Sequence, residues 1–216
     1  MKKIKFFASA FMIFAASAAI GQDGETDNRE KLQFGFKIGT NYSNVYNTKT
    51  EDFSADQKFG LAGGATVHIP IGKYVGIQPE ILFSQKGFEG EGTILGSQYN
   101  FSRTSTFIDI PLQIAFKPSE FITIVAGPQY SYLVKQKDEF KNSLFSYSQE
   151  EEFKNDNIRK NILGVVAGID INIKHIIVGA RAGWDLQNNR GDGSSNTPQY
   201  RNAWLQATVG YVFYKN

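Results

Sequence analysis

The stretch Val75–Phe88, VGIQPEILFSQKGF, limits what this chain can fold into more than any other. Val75, Ile77, Ile81 and Phe83 share one parity, and Gly76, Gln78, Glu80, Ser84 and Lys86 share the other. Successive side chains of a strand point to opposite faces, so a strand here has one apolar face and one of glycine, amides and charge. A half-exposed strand over a soluble core reads the same way. Repetition separates the two: the pattern recurs about seven more times, and the connections alternate between long and short.

The expected strands are Leu32–Asn44, Phe59–Ile69, the opening stretch, Tyr99–Phe116, Phe121–Val134, Ile162–Ile173, Ile176–Leu186 and Tyr200–Tyr214. Short turns fall at Pro70–Lys73, Lys117–Glu120 and Lys174-His175; long loops fall at Val45–Lys58, Gly87–Gln98, Lys135–Asn157 and Gln187–Gln199. Short turns on one side and long loops on the other are the asymmetry of an outer-membrane barrel. Each strand exceeds the ~9–11 residues that cross a bilayer. An open sheet edge in lipid leaves backbone groups unsatisfied, so the sheet must close. The expected fold is all-β, an eight-stranded antiparallel up-and-down transmembrane barrel over 32–216, with apolar side chains toward lipid. Phe34, Tyr74, Phe116, Phe121, Tyr211 and Phe213 are expected in an inner girdle, and Tyr42, Phe83, Tyr130, Tyr132 and Trp184 in an outer one. Pro79, Pro111 and Pro128 lie inside strands, where each removes a ladder donor, and bulges are expected there.

Lys2, Lys3 and Lys5 precede an apolar run, Phe6–Ile20, that ends in Ala19-Ile20-Gly21. This is a signal peptide over 1–21, with cleavage expected before Gln22 and export to the outer membrane. Residues 22–31, QDGETDNREK, are expected to form a polar disordered lead. Without residues 1–21 the chain has 20 basic and 21 acidic side chains, a formal charge of −1. That balance offers no nucleic-acid surface. With no cysteine, it folds without disulfides and has no lipoprotein anchor.

Three stretches carry a family likeness: Phe36–Asn44 (FKIGTNYSN), Ile77–Gly87 (IQPEILFSQKG) and Ile108–Leu112 (IDIPL). With Ala126-Gly127-Pro128, they resemble the PorT-like outer-membrane β-barrel family across essentially the whole exported chain. The resemblance implies a small outer-membrane barrel and no particular reaction; some members are tied to protein secretion. Tyr211 and Phe213, followed by Lys215-Asn216, look like an insertion signal read by the barrel-assembly machinery.

Parity sends Lys37, Glu80, Lys86, Arg103, Asp109, Asp170, Arg181 and Asp185 into the lumen. Eight strands enclose a lumen just wide enough for side chains or one small ligand. Glu80 is expected to pair with Arg181 or Lys37 in a structural network; a proton or ion path, or a ligand clamp, is the functional alternative. No catalytic residue, cofactor or metal site is expected. The two histidines, His68 and His175, both map to periplasmic ends, away from the outer leaflet where lipid-modifying chemistry occurs. Arg190-Gly191-Asp192 reads as turn composition before it reads as an adhesion tripeptide. The charged loop 135–157, with Phe140, Phe145, Tyr147 and Phe153, is the candidate partner surface.

The expected function is a monomeric outer-membrane barrel in contact with lipid, with a structural or surface-interaction role in the envelope and an association with secretion. Two other readings stay open. One is an outer-membrane esterase or acyltransferase. The other is a soluble exported barrel for an apolar ligand, which requires apolar side chains inside and polar ones outside.

Overall fold

In the computed structural model, described residues span 27–49, 55–94, 97–142, 146–151, 158–191 and 199–213. Residues 1–21, where the signal peptide is expected, residues 22–26 and the C-terminal Tyr214–Asn216 lie outside them. The strands are β1 (Gln33–Lys49), β2 (Asp56–Pro70), β3 (Val75–Ile94), β4 (Ser97–Phe116), β5 (Ile122–Asn142), β6 (Ser146–Glu151), β7 (Asn161–Ile173), β8 (Ile176–Asp185) and β9 (Gln199–Phe213). All pairings are antiparallel, in the order β4-β3-β2-β1-β9-β8-β7-β5-β6, and β4 also pairs with β5. Eight strands therefore close a ring, and β6 stands outside it, paired to the upper half of β5 from Gln136 to Lys141.

The parity read from the sequence is the parity of the barrel. Ile38, Phe59, Leu61, Ile81, Ile114, Leu205 and Val209 are all more than half exposed, whereas Ser84, Asp109, Gln113 and Ser131 are buried. An apolar outside and a polar inside exclude the soluble barrel with an apolar cavity. At the inner end Phe36 stacks with Tyr211 (6.2 Å), and Tyr211 meets Phe213 edge-on at 5.0 Å. At the outer end Tyr42 and Phe59 lie 4.8 Å apart.

Three expectations need correction. The sheet does not bulge at the prolines. The β5–β7 register runs unbroken through Pro128↔Val165. Between β3 and β4 the ladder lapses at 80–81 against 110–111, then resumes in the same register. A proline removes one donor, and strands pinned on both flanks keep their pitch across so short a lapse. The register shifts instead sit toward the outer rim, at Tyr46/Lys49, Gln57/Ala62 and Thr106/Phe107, where bulges bend strands as they leave a barrel.

Second, much of the expected outer loops is strand. β3 and β4 extend to Ile94 and from Ser97, and 135–157 contains the end of β5 and all of β6. Above the lipid an outward side chain has no reason to be apolar, so the charge there conceals the alternation. Of the aromatics singled out in 135–157, Phe145 and Phe153 and the side chain of Tyr147 lie outside the described residues.

Third, the part of the lead from Asp27 to Lys31 is an ordered strap across the periplasmic turns. Lys117 Nζ donates to the Arg29 carbonyl (2.8 Å), Lys73 pairs with Asp27 (3.2 Å), and the Arg29 guanidinium lies 5.2 Å from the Tyr74 ring centroid. Two of its four charged side chains, Asp27 and Arg29, find partners there, which the composition alone does not reveal.

Candidate functional site: the lumen and the external sheet

Inward-facing positions of the eight strands stack three levels of charge. The lowest level is built by β1, β3, β4, β7 and β8. Lys37 Nζ lies 2.5 Å from Glu80 Oε2, and Arg181 forks onto Asp170 with two contacts of 2.7 Å. Arg181 also reaches Gln113 Oε1 (3.2 Å) and comes within 3.9 Å of Glu80. Gln78 Nε2 ties the two acids together, donating to Glu80 Oε1 at 2.9 Å and to Asp170 Oδ2 at 3.3 Å. Two cations and two carboxylates leave this level neutral. Two parallel N–H···O bonds fix the Arg181–Asp170 geometry in a way a lone ammonium cannot.

Small residues make room for the guanidinium. Gly168 and Gly179 flank it: a Cβ at Gly168 would meet the Arg181 side chain and the Ala180 backbone, and one at Gly179 would meet the Asp170 and Thr208 side chains. The alternation of glycine and charge on β7 and β8 is thus a packing requirement.

In the middle level Lys86 is wholly buried. Its ammonium contacts Asp109 (3.0 Å) and lies 3.7 Å from the Trp204 ring centroid and 4.8 Å from that of Phe107. Asp185 belongs to the same level but takes its hydrogen bond from Asn202 Nδ2 (2.6 Å). Asn41 donates to Ser84 Oγ and accepts from Gln206 Nε2, both at 2.9 Å, which links β1, β3 and β9. Phe107, Leu133 and Ile162 form an apolar plug beside this level.

The outermost level holds Arg103. It forks onto Asp138 (2.7 and 2.6 Å) within 5.4–5.9 Å of the Phe88, Phe101 and Tyr200 rings.

The eight expected lumen residues are therefore all buried and divide among three levels: Lys37, Glu80, Asp170 and Arg181 below, Lys86, Asp109 and Asp185 in the middle, Arg103 above. Glu80 contacts Lys37 closely, and the main partner of Arg181 is Asp170 rather than Glu80. Reading for charge alone missed the amides Gln78, Gln113, Asn41 and Gln206, the ring of Trp204, and Asp138. The first five share the inward parity of their strands and were recoverable from it. Asp138 fell in a stretch read as loop.

Both histidines lie at the periplasmic end. His68 Nε2 is 3.4 Å from Thr66 Oγ1, and His175 Nδ1 is 2.8 Å from the Val212 carbonyl oxygen. Arg190 forms a bridge with Ile158, while Asp192 lies outside the described residues. Among the described residues no group of three or more His, Cys, Asp or Glu is arranged to hold a metal ion.

Beyond the outer girdle β3, β4, β5 and β6 continue as a sheet. Its outward face carries a cavity of about 300 Å³, lined in part by Asp56, Glu89, Glu139, Lys58 and Lys141. Asp56, Glu89, Ser102 and Glu139 are consecutive cross-strand neighbours at its level. Lys58 bonds Ser102 and lies 3.5 Å from Glu89.

Among solved structures, several outer-membrane proteins are similar to this chain. Ail, the attachment invasion locus protein of Yersinia pestis, is 14% identical, with 85% of this chain and 99% of that chain covered and a TM-score of 0.47. OprG of Pseudomonas aeruginosa is 11% identical over 88% of this chain and 100% of that chain, TM-score 0.43. The protease OmpT of Escherichia coli is 10% identical over 88% and 99%, TM-score 0.42. No curated protein matches the sequence. Residues 20–190 match the family described as "Outer membrane protein beta-barrel domain". That match covers well over half of the sequence, so the chain belongs to this outer-membrane β-barrel family.

Proposed function

We propose that this protein is a non-enzymatic envelope barrel whose lumen is a structural plug and whose external sheet is its contact surface. The observation that carries the reading is the filling of the lumen by paired charges at three levels, Lys37–Glu80 with Arg181–Asp170, Lys86–Asp109 and Arg103–Asp138. Lumen charges paired with one another lock strands in register, a structural role that needs no substrate. What remains for interaction is the sheet beyond the girdle, where Asp56, Glu89 and Glu139 sit among Lys58, Lys137 and Lys141 in a surface of mixed charge. The chain is exported with cleavage before Gln22, inserted by the barrel-assembly machinery and monomeric. The narrower kinship is with the PorT-like family, on the strength of the Phe36–Asn44, Ile77–Gly87 and Ile108–Leu112 stretches. Within that kinship the external sheet is proposed to contact secretion machinery.

The test combines membrane fractionation with heated and unheated electrophoresis and lipid analysis. Outer-membrane recovery, a faster unheated band and an unchanged lipid profile support the proposal. A new lysolipid or an added acyl chain that depends on His68 or His175 rejects it in favour of a lipid-modifying enzyme.

A further inference from the structure

We infer that the lowest level of the lumen holds one resident water molecule, bound between Lys37 Nζ and Gln78 Oε1. Two observations meet there. A small cavity with room for the centre of one water, about 10 Å³, is lined by Lys37, Thr66, His68, Gln78, Arg181 and Thr208, among others. Lys37 and Gln78 both line it; Gln78 Oε1 has no hydrogen-bond partner, and Lys37 Nζ has none beyond its ionic contact with Glu80. The Lys37 side chain is more than nine-tenths buried and Gln78 is 2% exposed, so bulk solvent does not satisfy them.

The chemistry selects water over other small ligands. The ammonium of Lys37 is held at 2.5 Å to Glu80 by charge, yet it has three N–H donors and needs acceptors. Gln78 has spent both amide hydrogens on Glu80 and Asp170, so its carbonyl needs a donor. One molecule that accepts from Lys37 and donates to Gln78 answers both. Lys37 and Arg181 balance Glu80 and Asp170, so the level has no net charge to draw in an ion. A cavity of this size admits one water and excludes a solute. Thr208 and Thr66 line the same cavity and offer hydroxyls for the remaining bonds. Buried waters with two to four polar partners are integral parts of folded proteins, and here the water completes the network.

The experiment is NMR of the full barrel in detergent micelles, reading cross-relaxation from a long-lived water to the Gln78 side-chain amide protons and to the Thr208 side chain, followed by Gln78→Met read at Thr208. The side chain of Gln78→Met keeps the length but loses the acceptor and fills the cavity. The expected result is a persistent water contact in the native protein that vanishes in a Gln78→Met barrel that still runs faster unheated. No long-lived water at Gln78 in the native barrel overturns the inference, as does a contact at Thr208 that survives in Gln78→Met. Should Gln78→Met fail to fold, a crystal structure of the native barrel decides: density within hydrogen-bond reach of Lys37 Nζ and Gln78 Oε1 supports the site, and a dry cavity rejects it.

Discussion

Arg181 shows how much one buried side chain is asked to do. Its fork on Asp170, the bond to Gln113 and the approach to Glu80 connect β8 to β7, β4 and β3 across the lumen. Removing one partner of a buried pair strands the other, at a cost of about 3–5 kcal/mol. Arg181→Ala is therefore expected to lower the denaturant midpoint of the folded barrel sharply, measured by tryptophan fluorescence. An unchanged midpoint would mean that the network does not hold the strands. Lys174 offers the opposite sign. In the tight β7–β8 turn it adopts φ 55°, a left-handed conformation that costs an L-residue ~1–2 kcal/mol and glycine little. Lys174→Gly is expected to raise stability by roughly 0.5–1 kcal/mol, because glycine's greater freedom in the unfolded chain offsets part of the gain. A lowered midpoint in the same assay would show that the turn relies on the lysine side chain. Charges and parity alone were enough to send Arg181 and its neighbours inward. Which acid each base would choose was not legible, since Glu80 and Asp170 lie at similar depth and only the fork geometry favours Asp170.

Along each strand, the sequence could be read as far as the lipid reached. Inside the hydrocarbon every outward position must be apolar, and the alternation marks β7 and β8 nearly to the residue. Where β3, β4 and β5 rise beyond Phe83, Ile108 and Tyr132, both faces meet water or packed polar groups and the signal fades, although the ladder continues to Ile94, from Ser97 and to Asn142. The boundary can be tested on β3. Ile81 is 53% exposed to the outside and Ser84 is fully buried beside Asn41. Ile81→Arg puts a cation into lipid and is expected to cost about 2–4 kcal/mol if near midplane. Ser84→Arg instead crowds a second guanidinium into the packed lumen. The two variants should differ in unfolding midpoint and in yield of folded barrel; equal effects would reverse the inside and outside of the strand. The strap is tested by pH. The Arg29 guanidinium bonded to Asp27 holds that carboxyl well below its ordinary value, with a further contribution from Lys73. A depressed folded pKa stabilises the docked strap above the ordinary carboxylate pKa of ~3.9, and that stabilisation is lost as pH falls through the depressed value. The ¹³C shift of the Asp27 carboxyl is therefore expected to titrate at lower pH than in a free peptide. Titration at the free value would mean that the Asp27–Arg29 bond does not form in the folded protein.

For the molecule as a whole, closure and plugging are consequences of the same pattern. Eight strands leave a lumen that side chains just fill, and this chain fills it with alternating strategies: a neutral four-charge level, a buried ammonium against rings, an apolar plug, and a guanidinium beside three aromatic rings. None of these levels can be bypassed within so narrow a ring. An ion crossing the barrel would have to part Arg181 from Asp170 and Lys86 from Asp109, both desolvated pairs. The protein reconstituted in a planar lipid bilayer is accordingly expected to show no steady conductance, even at high salt. Loosening the lowest level alone, as in Arg181→Ala, should still leave the membrane sealed, because Lys86 with Trp204 and the Phe107–Leu133–Ile162 plug close the lumen above it. Sustained ion-selective openings in the native protein would show that the charged levels form a path, and the lumen rather than the external sheet would then be where this barrel works.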